Sequence, residues 1–124
     1  PDERSDIAQR LLLRAAHDRP RAPSLLLLEV GNALLQAERR SRLRQATRLE
    51  LLDAFTSLPI ALEPISAEAT LRASELASRH ALTLYDASYL ELAVSRDCPL
   101  ATFDQALGEA ARAEGVVVLD EARA

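Results

Sequence analysis

From Pro59 onward, short apolar runs alternate with longer helical stretches, and few folds accept that order. The run "PIALEPI" (59–65) is bounded by prolines, is too short for a helix and alternates as a strand does. Ser66 is a fair N-cap for a helix to about His80, and Thr83 begins a second helix that ends near Asp97. "PLATF" (99–103) reads as a buried strand. Asp104 then opens a helix to about Glu114, Gly115 closes it, and "VVVL" (116–119) is a β-branched strand. Strand, two helices, strand, helix, strand is the order of parallel strands joined by helical crossovers. The prediction is one α/β domain over 1–124, because 124 residues are too few for two well-cored domains.

The first half is helical by its spacing. Ile7, Leu11, Leu12 and Ala15 share a helix face over 7–16, and the prolines of "HDRPRAP" (17–23) break it. Helices follow over about 24–40 and 43–58, the second with Ala46, Leu49, Ala54 and Leu58 expected on or near one stripe. Leu and Ala supply most of the apolar content, which favours helices packed closely through small residues.

Several function classes are disfavoured. The apolar runs fall far short of the roughly 20 residues of a membrane span, and no charged-then-apolar leader opens the sequence. A cytoplasmic protein without a membrane is therefore expected. The single cysteine, Cys98, makes no internal disulfide, is too few for a structural zinc site and is expected to be a buried, inert thiol. A net charge of −4 argues against coating nucleic acid by bulk attraction. Every basic residue is Arg, and "RRSRLRQATR" (39–48) is either a solvated turn or a phosphate-binding patch. There is neither a Gly-rich phosphate loop nor a G-x-S-x-G elbow.

Three carboxylates stand out. Glu29, in "PSLLLLEVGNALLQA", has Leu25, Leu26 and Ala33 as near neighbours and no basic residue three or four positions away. If buried it would have to protonate, pair or bind a cation; alternatively it reaches water near the helix start, where the dipole favours it. Asp86, in "LTLYDASYLELA", lines up with Leu90 and Ala93, yet Thr83 and Asp86 also fit a capping box. Asp104 follows the carboxyl end of a strand, where open α/β sheets place ligands, but Asp is also a favoured N-cap. Thr102 lies on the same strand face, two residues back. His17 and His80 are expected to be surface or capping residues rather than ligands. An oxygen-only set suits hard cations such as Mg²⁺ or Mn²⁺, which acidify water and hold phosphate oxygens, the chemistry of phosphodiester hydrolysis.

In order and spacing, "PSLLLLEVGNALL", "LTLYDASYLELA" and "PLATFDQALGEAA" resemble the acidic motifs of PIN-domain ribonucleases, most closely the VapC-type toxins of bacterial toxin–antitoxin pairs. The resemblance implies a three-layer α/β/α fold with a mostly parallel central sheet. It further implies an Mg²⁺- or Mn²⁺-dependent endoribonuclease that forms a homodimer and meets a cognate antitoxin, whose peptide covers the acidic groove against Leu-rich helix faces. By the same resemblance Glu29, Asp86 and Asp104 are catalytic metal ligands, with Asn32 and Thr102 supporting them. The family also has a first strand bearing a fourth, metal-binding aspartate, which is expected from residues before Pro1 or from another chain. Asp2, Asp6 and Asp120 are not assigned that role. The alternative of a different class is a catalytically silent PIN-like module that binds a protein partner or RNA.

Overall fold

The computed structural model describes residues 20–120. Its elements run β1 (Arg21–Pro23), α1 (Leu25–Arg39), α2 (Gln45–Thr56), β2 (Ala61–Glu63), α3 (Ala67–His80), α4 (Leu84–Arg96), β3 (Leu100–Ala101), α5 (Gln105–Ala113) and β4 (Val118–Leu119). The helix expected over 7–16, together with His17, lies outside the described residues. From β2 onward the order matches the strand and helix alternation read from the sequence.

Among the described residues the strands form two parallel pairs. β1 pairs with β2 in the register Arg21↔Ala61 to Pro23↔Glu63, and β3 pairs with β4 as Leu100↔Val118 and Ala101↔Leu119. The strand β1 is a correction, because "HDRPRAP" reads as a helix break and nothing more. Two prolines argue against a strand, yet its flanks still bond to β2: the Pro20 oxygen accepts from Ala61 N–H at 2.9 Å, and Ser24, just past Pro23, donates its N–H to the Glu63 oxygen at 2.8 Å. A strand hydrogen-bonded on one side tolerates missing N–H groups.

The helix starts of α3 and α4 are among those fixed by side-chain caps, as expected. Ser66 Oγ accepts from Ala69 N–H at 3.0 Å, and Thr83 Oγ1 accepts from Asp86 N–H at 3.1 Å. The ends of α3 and α4 use left-handed residues that are not glycine, Ala81 at φ 54° and Asp97 at φ 52°. Helix α5 ends on Gly115 at φ 79°, where glycine adopts the conformation without strain.

The core gathers where α4 lies against α3, with α5, β1 and β3 also in contact with α4. Ala73 and Leu76 of α3 meet Ala87, Leu90 and Ala93 of α4. Leu100, Leu107, Ala110, Ala111 and Val118 close the other side, and Leu90 is the largest side chain to be completely buried. Half of this list is alanine, so close helix approach follows from the composition. The same packing buries one charge: Glu91 of α4, 8% exposed in its side chain, accepts from Arg72 Nε at 2.9 Å.

The stripe expected on α2 is not its packed face. Ala46, Leu49, Ala54 and Leu58 are exposed, whereas Arg48, Leu52 and Phe55 are half-buried. The physical reason is spacing: 48, 52 and 55 repeat every three or four residues, while the step from 49 to 54 turns the helix past its neighbour. Cys98 is half-buried rather than buried, and its thiol donates to the Arg96 carbonyl at 3.4 Å. His80, a residue of the α3 C-terminus, donates from Nε2 to Glu114 at 2.7 Å, beside Arg79 Nη1 at 2.6 Å.

Two stability predictions follow from these caps and pairs. A left-handed L-residue costs about 1–2 kcal/mol, of which glycine's freedom in the unfolded chain returns about 0.4–1 kcal/mol. Ala81→Gly is therefore expected to raise the thermal midpoint by a few degrees in a melting experiment. The hydrogen bond from His80, and then that from Arg79, hold the Glu114 carboxyl below its ordinary value of 4.5. A lowered carboxyl stabilises the fold above that value and loses the contribution as pH falls through its folded value. Melts of Glu114→Gln should accordingly lie below wild type near neutral pH, by less than about 1 kcal/mol because solvent screens the pair. The gap should shrink below pH 4.5.

Candidate active site

Glu29 sits in the second turn of α1, beyond the first turn over which a helix dipole acts strongly. It is exposed, and no residue of α1 is fully buried. Of the two alternatives for Glu29, burial in an apolar face and access to water, it is the second that holds: Leu25 and Leu26 are only half-buried, and Ala33 is exposed. What Glu29 has instead is a partner from a distant helix. The hydroxyl of Tyr89, 60 residues away on α4, donates to Glu29 Oε1.

The arrangement follows from how α4 splits its faces. Ala87, Leu90 and Ala93 turn into the core, while Asp86 and Tyr89, three residues apart and so on neighbouring helix positions, remain half-buried. Burial chiefly, then the hydrogen bond and charge of Glu29, then the charge of Asp86, push the Tyr89 phenol far above its usual range. It therefore stays a hydrogen-bond donor. Glu29 thus reaches the phenol from α1, while Asp86 stands three residues before Tyr89 on α4.

Asp104 occupies a different place. Its Oδ1 accepts from Leu107 N–H at 2.7 Å, capping α5, and its own N–H donates to Thr102 Oγ1 at 3.0 Å. Thr102, Asp104, Gly108, Arg112 and Asp120 line a cavity of about 290 Å³ at the carboxyl ends of β3 and β4. Arg112 pairs there with Asp120. Asn32 is exposed one turn after Glu29. Among the described residues, no group of three or more His, Cys, Asp or Glu side chains comes together closely enough to hold a metal ion. The structure thus brings Glu29 to Tyr89, three residues from Asp86 on α4, and keeps Asp104 in the cavity beside Thr102.

Sequence reasoning passed over Tyr89. The signal was present, an aromatic with a polar tip three residues after Asp86 in "DASYLE", but a search for charged ligands does not weigh a phenol.

A family model described as PIN domain matches residues 1–113. The chain belongs to the PIN domain family. It is 34% identical over 110 residues to Ribonuclease VapC3 of Pyrobaculum aerophilum, covering 88% of this chain and 82% of that protein. The α/β class with parallel strands, expected from the alternation, is the class of the PIN fold, a three-layer α/β/α arrangement. No helix among the described residues is long and apolar enough to cross a membrane.

The residues of this PIN domain suit a hard cation in kind. Glu29 and Asp86 supply oxygen donors on the two helices that Tyr89 links, and one oxygen of Glu29 is held by Tyr89 while the carboxylate has a second. Mg²⁺ commonly takes one or two carboxylates and keeps water and substrate oxygens for its other positions. A pair, rather than a closed cage of three, meets that requirement.

Proposed function

We propose that this PIN domain is a divalent-metal-dependent endoribonuclease that hydrolyses RNA phosphodiester bonds, acting in the cytoplasm as the toxin of a bacterial type II toxin–antitoxin pair. The observation that carries the reading is the hydrogen bond from Tyr89 of α4 to Glu29 of α1, which brings Glu29 to the helix that bears Asp86 three residues before Tyr89. Family membership and likeness to a protein named Ribonuclease VapC3 support RNA as the substrate.

In this reading Glu29 and Asp86 hold Mg²⁺ or Mn²⁺, and Asp104 joins the catalytic set from the end of β3. Such a cation, when bound, acidifies water and offsets charge that builds on the phosphate oxygens. The protein's residues do the positioning. Thr102 fixes the backbone at Asp104, and Asn32 stands one turn from Glu29 to support it. Arg39, Arg40, Arg42 and Arg44 are exposed at the far end of α1, about 15 Å along the axis from Glu29, and there they orient the RNA backbone. The proposal includes one domain, a homodimer and a cognate antitoxin. Support for protein partners comes from exposed large apolar side chains such as Leu28 and Leu71.

A second reading, the silent module that binds without cutting, is favoured by a specific observation. Asp104 serves as a helix cap, and no three carboxylates converge among the described residues.

One experiment separates the two readings. The full protein is incubated with a structured RNA in Mn²⁺ or in EDTA, alongside Asp86→Asn. Loss of an outer-shell partner of a metal commonly costs 10–100-fold, so loss of a ligand should lower cleavage at least about 100-fold. The fold should be retained, because the cap at this helix start uses the Asp86 N–H and not its carboxylate. Metal-dependent cleavage lost in the variant supports the nuclease; RNA binding without cleavage by wild type supports the silent module.

A further inference from the structure

We propose that Tyr89 is a positioning residue of the acidic site: its hydroxyl clamps Glu29 of α1 beside Asp86 of α4 and so sets how tightly the site holds a divalent cation. The inference rests on the metal-binding part of the proposed function and assigns a role to a side chain outside the acidic set.

The argument starts from the unequal anchoring of the two helices. Helix α4 is fixed by the core through Leu90, which is fully buried, and Tyr89 itself packs against that core. Helix α1 packs on α2 and β1 and has no fully buried residue. Glu29 is exposed, and ordering such a side chain costs about 1.5–2 kcal/mol of rotamer freedom. Its own helix supplies nothing to offset that loss. Tyr89 does, since a phenol has two side-chain torsions and this one is held by packing at its base.

The clamp also acts on charge. Without a partner, free rotation would let Glu29 swing away from α4 and from Asp86. A donor hydroxyl at Glu29 Oε1 stabilises the anion where it stands and leaves Oε2 for a cation. Hydrogen bonds of this kind to a ligating side chain commonly set metal affinity by 10–100-fold. Tyr85, one turn earlier on the same helix, is 64% exposed and lines a separate apolar cavity with Pro23, Leu25 and Ile65. It serves as the control.

The test measures Mn²⁺ affinity of the full protein by titration calorimetry, with thermal midpoints in EDTA. Tyr89→Phe should bind Mn²⁺ about tenfold more weakly while melting close to wild type, and Tyr85→Phe should bind as wild type does. In a Glu29→Gln background, Tyr89→Phe should add no further loss, since the phenol acts through that carboxylate; a merely structural role would add its loss in both backgrounds. Wild-type affinity in Tyr89→Phe, a full additional loss in the Glu29→Gln background, or no Mn²⁺ binding by wild type overturns the inference. Should wild type bind Mn²⁺ with this dependence on Tyr89 yet leave RNA intact, the clamp stands and the ribonuclease reading falls.

Discussion

Everything in the fold hangs on the seating of α4 against α3. Leu90 is its centre, and the alanines around it let the helices approach until no solvent reaches that side chain. Because a helix divides its residues by angle, the burial of Ala87, Leu90 and Ala93 dictates which residues remain for chemistry. Asp86 and Tyr89 are among those that remain. Burial brings Glu91 inside as well, and that carboxylate is tolerated because Arg72 pairs with it. One packing decision therefore fixes both the core and the presentation of the acidic face.

The strands extend that control in two directions. Helix α4 contacts both β1 and β3, so it links the two parallel pairs. Glu63, at the end of β2, ties this together: it accepts from Arg21 of β1 at 3.3 Å and from Arg96 Nε of α4 at 3.2 Å. The β1–α1 turn is bonded to the same residue through Ser24 N–H. The start of α1, and with it Glu29, is thus tied to the frame that holds α4. Asp104 is placed by a separate device, the cap of α5 braced by Thr102.

Much of this was legible in the sequence, and the failures have identifiable causes. Helix starts at Ser66, Thr83 and Asp104 were readable because a cap is a local contract between a side chain and the N–H three residues later. The alternation after Pro59 was readable because pattern and chain length leave few alternatives. Strand β1 was not, because its bonds use the carbonyl of Pro20 and the N–H of Ser24, which the prolines leave intact, and depend on a partner 40 residues away. The stripe of α2 was misread, and the exposure of Glu29 on α1 was left open, because which face of a helix is covered depends on neighbours that periodicity does not reveal. The partner of Glu29 was hidden for the same reason, since a search within four residues cannot find a phenol 60 positions on.

The central claim is that carboxylates from α1 and α4 form one cation site, held together by a hydroxyl. It is tested most directly by crystals of the full protein soaked in Mn²⁺ and measured at a wavelength where manganese scatters anomalously. The account predicts an anomalous peak within bonding distance of both Glu29 and Asp86, with the Tyr89 hydroxyl still donating to Glu29. A peak bound elsewhere, or Glu29 and Asp86 facing different solvent with no peak between them, would contradict it.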